Sequence, residues 1–132
     1  MKLLADTSAL LALVFRDDAN HPPAAEFVRQ NPHGRFVLTE LILAEVATRV
    51  RARAGAGRAV ALARSVLDSR RYELLFVDTE ILHGALSRMA RFEDKRLSLT
   101  DCASFEVMDR LKLDAAFSFD RDFRDCGYRM LP

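Results

Sequence analysis

The chain is poor in cysteine, with only Cys102 and Cys126 among its 132 residues, far apart in sequence. That excludes a disulfide framework as the source of stability and fits a reducing cytoplasm. His21, His33 and His83 stand isolated, so the Cys/His spacings of a zinc site are missing too. No apolar run is long enough to cross a bilayer, and no membrane association is expected. Met1 to Phe15 has the outline of a secretory signal, a lysine followed by apolar residues. Asp6 interrupts it, however, and the segment is read as a buried strand leading into a helix. Excess charge of one sign is also lacking: 20 basic against 19 acidic side chains leave a net of +1, which selects no class of partner. Neither a phosphate-binding P-loop nor a serine-nucleophile elbow occurs. Gly55-Ala56-Gly57 lacks the third glycine of a dinucleotide fingerprint and follows a helix, so it is read as a helix–helix turn.

What is present is enough apolar material, 50% of residues, to bury one compact core in a chain too short for two ordinary domains. Residues 1–132 are therefore expected to form a single domain. Lys2 to Ala5 reads as a strand ending at Asp6-Thr7-Ser8, with Leu10, Leu11, Leu13 and Val14 on a buried helix behind it. After a loop, a short helix is expected from Pro23 to Gln30, then a strand from Arg35 to Leu38. Thr39 caps a helix to about Ala54, and another covers Arg58 to Ser69. Glu73 to Val77 forms a third strand, and Asp78 caps a helix to about Phe92. Ser98 to Asp101 resembles a capping box opening a helix to Leu111. Strands follow at Ala115 to Phe119 and around Tyr128 to Leu131. Strands alternating with helices predict an α/β fold with a mainly parallel sheet covered on both faces, because parallel neighbours need long crossovers.

Four acids stand at telling places in this pattern: Asp6, Glu45, Asp101 and Asp120. Asp6 and Asp120 fall at the carboxyl ends of predicted strands, where open α/β sheets gather functional groups. Each acid has an ordinary explanation as well. Asp6 can cap the following helix, Asp101 can favour a helix dipole, and Asp120 can belong to a turn with Arg121 and Asp122. Glu45 is harder to explain in that way, because it lies on the stripe of Leu41 and Ile42 where an unpaired carboxylate is costly. Glu40, in the first turn of its helix, is read as structural, and Glu106 and Asp109 as solvated. Carboxylates gathered from separate elements are what a hard cation such as Mg2+ or Mn2+ requires.

The segments around these acids, LLADTSALLAL, TELILAEV, LSLTDCASFEVM and FSFDRDF, resemble in order and spacing a PIN-domain ribonuclease, particularly VapC-type toxins of type II toxin-antitoxin pairs. The resemblance spans essentially the whole chain. It implies a PIN-like three-layer α/β/α sandwich with a roughly five-stranded, mainly parallel sheet. It assigns Asp6, Glu45, Asp101 and Asp120 as catalytic metal ligands, with Asp122 as an accessory ligand. Thr7, Ser8 and Ser118 become the polar residues that orient them. The implied cofactor is one or two Mg2+ or Mn2+ ions, polarising the scissile phosphate and activating water. An RNA substrate, a cognate antitoxin, a homodimer and a cytoplasmic setting are implied with it.

Three other readings stay open on the residues alone: a non-toxin PIN nuclease acting in RNA processing, an aspartate-dependent phosphatase using Asp6, and a non-catalytic binding module. Asp6-Thr7-Ser8 is not the DxD expected of one large phosphatase group. Between Arg49 and Arg71 there are seven arginines and one acid, Asp68. They form either a solvated helical surface or a contact for RNA phosphates or an acidic partner segment. Charge reversal at Arg49 and Arg53 is expected to weaken binding of RNA or partner in a gel-shift assay; unchanged binding would make the stretch a solubilising surface only.

Overall fold

The computed structural model describes residues 1–132. Five strands, β1 (Lys2–Ala5), β2 (Arg35–Thr39), β3 (Tyr72–Leu75), β4 (Ala115–Phe117) and β5 (Met130–Leu131), form one sheet in the order β3-β2-β1-β4-β5. Every pairing is parallel. Helices α1 (Thr7–Val14), α2 (His21–Gln30), α3 (Glu40–Ala54), α4 (Ala56–Asp68), α5 (Thr79–Arg91), α6 (Leu99–Leu111) and α7 (Asp122–Asp125) supply the connections. Consecutive strand residues point to opposite faces, yet Leu3, Leu4 and Ala5 are all fully buried, as are Phe36, Val37 and Leu38. Helices therefore cover the sheet on both sides, the expected three layers. No helix is long and apolar enough to cross a membrane.

Strand order decides where a site can form. From β1 the chain moves outward through β2 and β3, then returns to the other side of β1 to place β4 and β5. The crevice between β1 and β4 is thus a topological switch point, the place where open parallel sheets bind ligands at strand carboxyl ends. Ala5 is in register with Phe117, and the Asp6 amide donates to the Phe117 carbonyl at 3.0 Å. The residues that follow each strand, Asp6 and Ser118, consequently meet there.

Aromatic packing holds this junction. Phe117 stacks on Phe27 with centroids 5.1 Å apart and sits 5.4 Å from Phe36, which in turn stacks on Tyr72. Phe117 thereby links the central strand pair to α2 and to β2.

Departures from the expected boundaries have local causes. The third strand ends at Leu75, because the Val77 amide turns away to both carboxylate oxygens of Glu40, at 2.9 and 3.0 Å. Glu40 is structural, as expected, through that clamp. β4 ends at Phe117, because the amides of Phe119 and Asp120 donate to the Ser8 and Ser118 hydroxyls. The last strand is shortened to two residues, since the Tyr128 amide closes a turn on the Phe123 carbonyl at 2.8 Å. α2 begins at His21 and α4 at Ala56, two residues earlier than expected in each case. Gly55, between α3 and α4, has φ of 91°, the left-handed region that suits glycine, so the helix–helix turn stands. The polar patch read as a turn contains the short helix α7, anchored by the fully buried Phe123. Glu106 is not solvated: its side chain is 14% exposed and held by Arg88 and Arg110.

Replacing Phe117 with Ala should cost about 3–5 kcal/mol in urea denaturation, the usual range for a buried phenylalanine. A loss under about 1 kcal/mol would show that the ring cluster closes up without it.

Candidate metal centre

Asp6 stands at the N-cap of α1 and is only 5% exposed. Its Oδ2 accepts from the Ser8 hydroxyl at 2.8 Å and from the Ser118 hydroxyl at 2.9 Å. Each hydroxyl in turn accepts a backbone amide, Phe119 on Ser8 and Asp120 on Ser118, both at 3.0 Å. Those amides fix the hydroxyl protons toward the carboxylate. Asp6 Oδ1 accepts from neither hydroxyl. Burial pushes the Asp6 carboxyl above its ordinary pKa; hydrogen bonds from Ser8, Ser118 and the Thr7 amide oppose the shift, and the nearby Asp120 charge adds to it.

Glu45 projects from α3 on the stripe that contains buried Ile42 and Val46, and its Oε2 accepts from the Thr7 hydroxyl at 2.8 Å. Thr7 therefore orients Glu45, and Ser8 with Ser118 orients Asp6. Asp101 is the third residue of α6 and closes a capping box. Its amide donates to the Ser98 hydroxyl and its Oδ2 accepts the Ser98 amide, each at 3.0 Å. Burial again raises its pKa, against the Ser98 hydrogen bonds and with help from the charges of Asp6 and Asp120. Asp120 follows β4, and its Oδ1 accepts the Asp122 amide at 3.0 Å, which draws the start of α7 toward it.

These groups share one cleft of about 220 Å3, lined entirely by polar residues: Asp6, Thr7, Ser8, Glu45, Arg49, Ser98, Asp101 and Asp120. All four acids singled out in the sequence reach it. Carboxylate oxygens of Asp101, Asp120 and Asp122 lie within 4.8 Å of one another, each residue half-buried. Asp122 thus stands beside Asp101 and Asp120, where an accessory ligand would have to be. Its pKa is raised by burial and by Asp120 and Asp125, while the Lys95 charge opposes the shift. Lys95 had no signal in the sequence, because only the fold brings the loop before α6 beside α7. Of the two arginines expected at the surface, Arg49 lines the cleft. Arg53 is engaged elsewhere, in an ion pair with Asp17 at 3.3 Å and over the Phe15 ring at 3.8 Å.

The donors gathered here are carboxylate and hydroxyl oxygens, with no histidine or thiolate in the acid cluster. That set suits a hard divalent cation and not a soft one. The clustered carboxylates, Asp6 buried and the others half-buried, repel one another, which a divalent charge would relieve.

An acidic, oxygen-lined cleft at the switch point of a five-stranded parallel sheet is the arrangement that a metal-dependent phosphodiester hydrolase requires. More narrowly, the chain belongs to the PIN domain family, whose pattern matches residues 3–127; PIN domains are nucleases that use divalent metal ions. It is similar to the 23S rRNA-specific endonuclease VapC20 of Mycobacterium tuberculosis, with 31% identity over 128 residues, covering 96% of this chain and 95% of that protein. The crystal structure of that sarcin-ricin loop cleaving toxin superposes with a TM-score of 0.86 at 26% identity, over 96% of this chain and 95% of the other. VapBC2 of Rickettsia felis, bound to a promoter DNA fragment, shares the fold at a TM-score of 0.72 and 10% identity, over 100% and 98% of the two chains. A toxin-antitoxin complex from Klebsiella pneumoniae shares it at 0.65 and 14%, over 92% and 89%.

The raised pKa values carry a pH signature. A carboxyl that holds its proton more tightly when folded stabilises the protein less as pH rises from about 4 through the folded value. Metal-free protein should therefore lose the contributions of Asp6, Asp101 and Asp122 in that window. Mn2+, which binds the deprotonated groups, should raise the thermal midpoint by an amount that grows as pH rises from about 4 through the folded values. At about 100 times its Kd the stabilisation is roughly 2.7 kcal/mol. A metal shift that stays constant across this range in calorimetry would exclude these carboxylates as its origin.

Proposed function

We propose that the chain is a Mg2+- or Mn2+-dependent endoribonuclease, the toxin of a type II toxin-antitoxin pair, working as one domain over residues 1–132 in the cytoplasm. The observation that carries this reading is the approach of Asp101, Asp120 and Asp122 to within 4.8 Å beside a cleft that Asp6 and Glu45 share. In this reading Asp6, Glu45, Asp101, Asp120 and Asp122 are the ligand set for one or two ions. The chemistry a divalent ion supplies when bound at such a site is Lewis acidity toward a phosphate oxygen and a more acidic water nucleophile.

The remaining work falls to side chains of the chain itself. Ser8 and Ser118 orient Asp6 by donating to one of its oxygens, bonds that oppose the effect of burial on its charge, and leave the other oxygen free of their bonds. Thr7 fixes Glu45 across the cleft. Arg49, the one cation among the cleft-lining residues, is placed to take a substrate phosphate. Attack by water on phosphorus, with departure of the 3' oxygen, gives 5'-phosphate and 3'-hydroxyl ends without a covalent intermediate.

RNA as the substrate is supported by the likeness to an endonuclease named for 23S rRNA, and we extend that class, structured ribosomal RNA, to this chain. An antitoxin partner is supported by the toxin-antitoxin assemblies that share the fold. The apolar hollow of about 470 Å3 between α3 and α4, floored by Ala47, Ala56, Ala59 and Ala63 and edged by Arg51, offers an acidic partner segment a seat. A homodimer is the expected working form.

Pulsed expression followed by mapping of RNA ends tests the reading directly. Wild-type protein should produce new 5'-phosphate ends in ribosomal RNA. Asp6→Asn should lower cleavage by more than the roughly 10- to 100-fold typical of losing a group behind a metal ligand. Ends bearing 2',3'-cyclic phosphate, or an Asp6→Asn variant as active as wild type, would overturn it.

A further inference from the structure

Arg88, on α5, lines no part of the cleft, yet it binds both of the chain segments that carry the acid triad. Its side chain is 13% exposed. Nε donates to Glu106 Oε2 at 2.7 Å and Nη2 to Asp109, both on α6, the helix whose first turn carries Asp101. Nη1 donates to the Tyr128 hydroxyl at 2.9 Å. Tyr128 belongs to the segment that closes α7, since its amide is bonded to the Phe123 carbonyl and the Cys126 amide to that of Asp122. The Tyr128 ring lies flat on Phe105 of α6 at 5.0 Å, and Phe105 meets Phe123 of α7 edge-on at 5.0 Å.

One planar guanidinium thus fixes α6 relative to the α7 segment, using donors whose fork geometry a lysine ammonium cannot reproduce. The approach of α5 to α6 is built for it. Glu106 lies against the backbone at Gly84, where a Cβ would stand 2.8 Å from Oε2 and nearer still to the rest of the carboxyl group. Burial works against the Arg88 charge, but the bonds to Glu106 and Asp109 more than offset it and hold the group protonated. A buried ion pair is poor evidence for stability as such, since desolvation offsets most of its attraction. Its geometric effect is the informative one.

We propose that Arg88 is a positioning residue that sets the separation of Asp101 from Asp120 and Asp122, and through it the affinity of the cluster for a divalent ion. The inference rests on the reading of that cluster as a metal centre. It places the control of metal binding on a helix that contributes no ligand.

Calorimetric titration of EDTA-stripped protein with Mn2+ tests it, with circular dichroism to verify folding. Asp101→Asn examines the metal centre itself and should abolish the tight binding seen in wild type. Arg88→Lys should keep the fold and weaken Mn2+ binding roughly 10- to 100-fold, the usual effect of losing a group that supports a ligand. Its RNA cleavage should recover at saturating Mn2+. Tyr128→Phe keeps the ring on Phe105 but removes the hydroxyl that accepts from Arg88, together with its longer bond to the Phe105 carbonyl at 3.4 Å, and should weaken binding in the same direction by up to about 10-fold. It decides the matter if Arg88→Lys fails to fold. Mn2+ affinities of the folded variants within about twofold of wild type, beside an intact dependence on Asp101, would overturn the role of Arg88 and leave the metal centre standing. Wild-type protein without Asp101-dependent binding would overturn both.

Discussion

Carboxylates crowded together in a half-buried cleft repel one another, and most of the local structure around the cleft is the means of holding them there. Two unit charges 4 Å apart interact by about 4 kcal/mol at the effective dielectric of a protein surface. Each acid therefore needs a tether. Asp6 has two serine hydroxyls, Glu45 has Thr7, Asp101 has the Ser98 amide, and Asp120 has the Asp122 amide. In every case the bond identified occupies one carboxylate oxygen. The opposing charge that would relax the cluster is sparse, with Arg49 at the rim and Lys95 near Asp122. A centre built this way is held ready for a cation, and it is most uncomfortable without one at neutral pH.

The sheet was legible in the sequence because its strands are short apolar runs set between helical patterns, and burial on both faces leaves no alternation to confuse with a solvated sheet. Thr39, Asp78 and Ser98 were legible as caps because their position before an apolar stripe has one common cause, an unsatisfied helix amide. The strand ends were not. Val77, Phe119 and Asp120 leave the ladder for side chains of Glu40, Ser8 and Ser118, which lie far away in sequence. Propensity carries no information about such partners.

The acids divided in a similar way. Asp6, Glu45, Asp101 and Asp120 were visible because each sat oddly against its local pattern, and the resemblance of their flanking segments joined them into one set. Asp122 was visible as an accessory to them, but the four-residue helix α7 that carries it was not, being too short to leave a periodic signal. Glu106 looked solvated for a related reason. Its partner Arg88 lies 18 residues away on another helix, and the backbone space it fills exists only because residue 84 is glycine.

The strand order also governs when the acids can meet. β1 precedes the other four strands in sequence but lies in the middle of the sheet, flanked by β2 on one side and by the later strand β4 on the other. A growing chain that has reached the end of α5 already contains Asp6 and Glu45, but Asp101, Asp120 and Asp122 are still to come. Until β4 docks, Asp6 has no Ser118 beside it and its own strand has a bare edge. A chain stopped after α5 therefore lacks three of the five acids of the cleft, and the cluster can close only once β4 has paired with β1.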